Sequence, residues 1–276
     1  MKPKISVVIG FRDWGLRRLE LATTSIQRSF GEIPGEVIIS DYGSFDRTAT
    51  EEMAARVGAK YVYTETDGPW SRSRALNAGF MVAEGEFLVS TDADMIFSPQ
   101  AFETIGRMAQ AEATSAFFLQ CRDLQPGMDD DWVASNSEAW DEMEASSRLR
   151  PRWGMGGMMA IHRSGFEIIR GFDERLHTYG GEDLDFAQRA RRAGFRTHWI
   201  EHPKVRMYHM WHPATSKVVE QSEEGRKAVE YNRSVVYHDK TFVRNYLAWT
   251  YRPSNIAPLV TIAISTRNRS DMIAET

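Results

Sequence analysis

The chain predicts an α/β fold, and three observations carry the prediction. Short apolar runs of strand length alternate with longer stretches whose apolar residues recur at helical spacing. Asp13, Asp41, Asp92 and Asp94 fall where those runs end, the place at which ligands gather in such sheets. Of the 276 residues, 42% are hydrophobic and 26% charged, which suits a core for one large domain, or one domain plus an appendage.

In order along the chain, "ISVVIG" reads as the first strand and "RRLELATTSIQRSF" as the helix after it. "GEVIISDYGS" is a second strand ending in a polar turn, "DRTATEEMAARVG" a helix stopped at Gly58, and "AKYVYTET" a third strand. "SRSRALNAGFMVAEG" is helical and "EFLVSTDADMIF" reads as a fourth strand. From Cys121 to Arg152 the periodicity fades in acidic, polar sequence, the pattern of a functional loop or of a solvated excursion with one short helix. "RWGMGGMMAIHRSGF" resumes an apolar strand after a glycine-rich bend. "GGEDLDFAQRARRAGF" opens a helix with carboxylates in its first turn, where the helix dipole favours them. The stretch 216–249 reads as a C-terminal helix.

Net charge is −4, so no basic excess points to nucleic acid or to an anionic membrane. One cysteine, Cys121, permits no intrachain disulfide and fits a reducing, cytoplasmic setting, with peripheral attachment to the inner face of a membrane left open. The N-terminal apolar run is too short for a signal peptide, and no segment has the roughly 20 apolar residues of a membrane span. The glycosylation sequons at Asn232 and Asn268 read as incidental.

Asp92 and Asp94 are one residue apart at a strand end. Burying two like charges is costly unless a positive group lies between them. A cap or turn is one explanation. A hard divalent cation, Mn²⁺ or Mg²⁺, completing its shell with a diphosphate is the other.

"ISVVIGFRD", "DYGSFDRT", "SRALNAGF", "STDADMIF" and "GGEDLDFAQRARRAGF", in this order over roughly residues 4–212, resemble glycosyltransferase family two, the large family of inverting GT-A-fold enzymes. The Gly-Gly-Glu-Asp form is also similar to modules of bacterial chondroitin-polymerase-like enzymes, to β1,4-galactosyltransferases and to polypeptide N-acetylgalactosaminyltransferases. The resemblance implies a Rossmann-like mixed, mostly parallel sheet flanked by helices that binds a UDP-sugar donor. By the same resemblance Phe11, Asp13 and Asp41 line the nucleotide pocket, Asp41 on the uracil ring, although Tyr42 stands where the family has a second Asp. Arg72 or Arg74 supplies charge near the diphosphate, and Asn77 belongs to the same segment. Asp92 lies near the ribose and the metal, and Asp94 binds the metal. In "MYHMWHP", His209 is the expected further ligand and His212, three residues on, its rival; imidazole favours Mn²⁺ over Mg²⁺. Asp183 aligns with the general base and Glu182 holds a sugar hydroxyl. Trp153 either stacks on a sugar or belongs to the core.

The expected activity is therefore metal-dependent inverting transfer from a UDP-sugar to a hydroxyl of a glycan or other acceptor. A retaining GT-A enzyme and a non-catalytic nucleotide-sugar-binding module are the alternatives. The expected organisation is a glycosyltransferase domain over 1–215, a helical extension over 216–252, and a linker over 253–276 that opens a second module, because "VTIAISTRN" repeats the pattern of "ISVVIGFRD".

Overall fold

The computed structural model describes residues 4–152 and 155–245. Trp153 and the expected second module lie outside them.

The first half follows the expected alternation: β1 (Ile5–Phe11), α1 (Leu16–Ser29), β2 (Gly35–Tyr42), α2 (Arg47–Arg56), β3 (Lys60–Thr64), α3 (Arg72–Val82) and β4 (Phe87–Thr91). β1 pairs in parallel with β2 and with β4, and β2 with β3. Central β1 is buried on both faces, as its uninterrupted apolar run requires. Val7 and Ile9 enter the core under α1 and α2, whereas Val8 enters the opposite core with Leu76 and Phe80 of α3. Side-chain caps set the helix starts: Asp46 accepts from Ala49 N and Ser71 from Arg74 N. Gly79 lets α3 lie on the sheet, because a Cβ there would stand 2.4 Å from Val8 Cγ1.

The expected fourth strand does not continue. β4 stops at Thr91, the chain turns through Asp92, Ala93 and Asp94, and β5 (Met95–Phe97) enters a second sheet. After α4 (Ala101–Ala111) and β6 (Ser115–Phe118), the region without periodicity holds β7 (Arg122–Asp123), α5 (Asp130–Ser135), α6 (Trp140–Ser146) and β8 (Arg148–Leu149). β9 (Met158–His162) is antiparallel to both β4 and β6. Then come α7 (Arg163–Ile169), α8 (Glu182–Arg192), β10 (Arg196–Trp199), β11 (Met207–His209), α9 (Thr215–Val219) and α10 (Glu223–His238). The described strands form a seven-stranded, mostly parallel sheet, β10-β6-β9-β4-β1-β2-β3, and a four-stranded one, β5-β11-β7-β8.

Where one C-terminal helix is expected over 216–249, the described residues, to 245, hold two, with Ser222 capping α10 by accepting from Gly225 N at 2.9 Å. The segment after α10 returns into the domain. Arg244, 2% exposed, donates to Asp173 Oδ2 at 2.8 Å and Asp185 Oδ1 at 3.0 Å. Asp185 also receives Arg189 Nε at 2.6 Å, and Asp239 receives Arg175 and Arg244.

Candidate active site

Three acceptor-bearing side chains converge beside the turn between the two sheets. Asp94 Oδ2 lies 3.5 Å from His209 Nε2 and 3.2 Å from His212 Nε2, and the two Nε2 atoms are 3.0 Å apart. The other ring nitrogens fix the protons. His212 Nδ1 is 2.7 Å from Pro213 O, which only accepts, so Nδ1 carries the hydrogen. His209 Nδ1 donates to Asp123 Oδ1 at 3.1 Å. Asp123 is itself paired with Arg150, and these partners hold it ionised against its burial. Two imidazoles held this way turn their Nε2 lone pairs toward each other and toward a carboxylate. A proton or a cation must sit among them. Burial works against a charged His209, but Asp123 and Asp94 outweigh it and raise its pKa to about 9. Asp94 is 5% exposed, and its buried Oδ1 has no hydrogen-bond partner. The histidines press Asp94 to a low pKa despite burial. Among the described residues these three could hold a metal ion.

Asp92 stands apart from that set. Its Oδ1 accepts from Arg72 Nε at 2.7 Å, an ion pair on the other side of the turn from the Asp94, His209 and His212 set. Burial raises the pKa of Asp92, and Arg72 partly offsets this. Arg72 also donates from Nη2 to Gly156 O at 2.8 Å. Its buried Nη1 makes no hydrogen bond and lies 3.9 Å from Glu182 Oε1. The guanidinium thus bridges the Asp-Ala-Asp turn and the start of α8. Glu182 and Asp183 occupy the first turn of that helix, after Gly180 (φ 81°) and Gly181 (φ 101°), whose left-handed backbone favours glycine. Burial, reinforced by Asp183, pushes Glu182 up to about 7 against the pull of Arg72. Asp183 Oδ1 accepts from Leu184 N at 2.8 Å, and its Oδ2 faces the backbone of Gly156.

The remaining expected residues separate from this group. Asp41 is fully buried; Oδ1 accepts from Ser44 N and Oδ2 from Tyr61 OH, so it braces the turn after β2. Asp13 (φ 50°) receives Phe45 N, and its own N–H donates to Ser44, locking the ends of β1 and β2 together. Phe11 is packed in the core. Arg74 Nε donates to Glu174 O, and the Asn77 amide donates to Phe172 O and accepts from Phe172 N. Both tie α3 to the 172–174 loop.

The sequence reading missed three side chains of the site. Trp14 donates from Nε1 to Asp94 Oδ2 at 3.2 Å and meets His212 edge-on at 5.0 Å. Asp123 ends the two-residue β7 and Arg150 follows the two-residue β8, in sequence without periodicity, where no local signal marks them.

The sequence model of glycosyl transferase family 2 matches residues 16–171, more than half of the chain. The chain belongs to that family. A second model, the N-terminal domain of galactosyltransferase, matches residues 142–213 of this glycosyltransferase. No curated protein matches it. Among solved structures it is similar to that of GalNAc-T7 with UDP, GalNAc and Mn²⁺, with a TM-score of 0.58 and 17% identity over 86% of this chain and 50% of that one. The glycosyltransferase thus has the GT-A fold and spans about half the length of that relative. No described helix is long and apolar enough to cross a membrane.

Proposed function

We propose that this glycosyltransferase moves a sugar from a UDP-sugar to a hydroxyl of a glycan or other acceptor, with inversion and with a divalent cation, Mn²⁺ before Mg²⁺. The convergence of Asp94, His209 and His212 carries the reading: three acceptors around one point fit a dication. The solved structure of GalNAc-T7, similar in fold, contains UDP, GalNAc and Mn²⁺. A cation held here supplies charge against which a departing diphosphate is stabilised. Arg72, buried with an Nη1 that makes no hydrogen bond, presents a second positive group from the other side of the turn.

Asp183 accepts the acceptor hydroxyl's proton as that oxygen forms its bond to the anomeric carbon. The bond from the anomeric carbon to the diphosphate oxygen breaks, and UDP leaves with the electron pair. Asp183 is placed for the task in the first turn of α8, with its Oδ2 toward Gly156. Glu182, with its pKa raised to about 7, holds a sugar hydroxyl either as donor or as acceptor.

Incubation with a panel of UDP-sugars, Mn²⁺ and glycan acceptors tests this. Release of UDP with an inverted anomeric centre is expected. A retained anomer would remove Asp183 as base, and binding without UDP release would make the chain a nucleotide-sugar-binding module.

A further inference from the structure

Asn232 lies within α10, beyond the segments that match either family model. It is 1% exposed. Its Nδ2 is 2.8 Å from His177 O, 3.1 Å from Tyr179 O and 2.9 Å from Gly180 O, and its Oδ1 accepts from His177 N at 3.4 Å. An amide has two N–H donors, so three carbonyls share them through a three-centre bond. Every one of those carbonyls belongs to the loop that delivers Gly181, Glu182 and Asp183.

The loop needs such a restraint. Thr178 sits at φ 66°, a left-handed conformation that is an outlier for a β-branched residue, and Gly180 and Gly181 follow in the same region. A backbone of this kind persists only where its surroundings over-determine it. Trp70 O accepts from Thr178 N on one side, and Asn232 holds the carbonyls on the other. α10 also packs directly on the turn: a Cβ at Gly181 would stand 3.3 Å from Val236 Cγ2 and 3.6 Å from Asn232 Cβ. A second tie follows two residues after Asp183, where the buried Asp185 receives Arg244.

We propose that Asn232 is a positioning residue for Glu182 and Asp183. From α10 it sets the backbone that aims the two carboxylates, and it makes the helix beyond the family-matched segments part of the catalytic unit. The proposal rests on the reading of Asp183 as general base. It also accounts for Asn232 being committed inside the protein although it opens a glycosylation sequon.

The test compares Asn232→Ala, and the smaller polar Asn232→Ser should the alanine variant fail to fold, with Arg233→Ala from the same helix. The readouts are thermal melting, UDP affinity with Mn²⁺ by calorimetry, and steady-state transfer. Expected is a fall in kcat of about tenfold or more, with donor KM and UDP affinity within about threefold of the parent, while Arg233→Ala leaves kcat unchanged. In an Asp183→Asn background the same change should add less than about twofold, because the aim of an absent base no longer matters. A tenfold loss persisting there, or an unchanged kcat in the single variant, overturns the proposal. Near-normal turnover of Asp183→Asn alone would defeat the assignment of the base instead. Asn232 would then stand or fall on the kcat–KM split in the otherwise native chain.

Discussion

The Nε2 atoms of His209 and His212 stand 3.0 Å apart, each with its Nδ1–H committed to another acceptor. Two lone pairs at that distance repel unless a positive charge lies between them, and the nearest carboxylate, Asp94, adds a third acceptor rather than a donor.

His209→Ala and His212→Ala should therefore each weaken Mn²⁺ binding strongly, with neither dispensable. Asp123→Asn, which leaves all three acceptors in place but unfixes the His209 ring, should cost about 10- to 100-fold in metal affinity. Titration of the chelator-treated protein with Mn²⁺ measures all three. Unchanged affinity in His212→Ala would return the site to His209 and Asp94 alone.

Asp183→Asn preserves shape and removes the proton acceptor. UDP affinity should stay within about threefold of the parent, while transfer falls by about 10²-fold or more. Parallel calorimetry and turnover assays separate the two effects.

Glu182 gives a pH dependence of stability. Its pKa rises from an ordinary 4.5 to about 7 in the folded chain, so between those values the native state holds a proton that the unfolded state has lost. Stability contributed by this group is present below about pH 4.5, falls as pH rises through the window, and is lost above about pH 7. Glu182→Gln removes that term. In EDTA, its melting temperature should exceed the parent's at pH 8 and approach it at pH 5. Equal gaps at both values would show that Glu182 carries no such burden.

Arg244→Met leaves Asp173 and Asp185 buried without one of their partners. Breaking a buried ionic network in this way costs about 3–5 kcal/mol, which denaturant unfolding would register as a clear fall in midpoint. A change under about 1 kcal/mol would mean that Arg175 and Arg189 suffice.

The first half of the fold was legible because its signals are local. β1 is an unbroken apolar run, Asp46 and Ser71 cap helices from the sequence position itself, and Asp94 stands at a strand end. What escaped is whatever distant pairing decides. β7 is two residues long and exists only by pairing with β8 and β11, so Asp123 and Arg150 had no periodicity to announce them. Asp92 looked like the partner of Asp94 because only one residue separates them. The turn sends the two carboxylates to opposite partners, Arg72 on α3 and the histidines at and beyond β11. Asn77 stood out by motif, and its amide donates to Phe172 O and Glu174 Oε1 and accepts from Phe172 N, residues 95 and 97 positions away.

The turn at Ala93 has one more consequence. Arg72, Gly156, Glu182 and Asp183 lie on or beside the large sheet, whereas His209, Asp123 and Arg150 belong to or flank the small one. On the proposed reading, the histidines that hold the ion and the base sit on two jaws with a shared pivot, and Ala93, 5% exposed, is the pin. Inserting one residue there would leave both jaws intact while shifting the bite between them. Replacing the small sheet would exchange the ion-holding jaw without touching the base. Variation can therefore act on one jaw at a time, provided the length of the chain at the pivot is preserved.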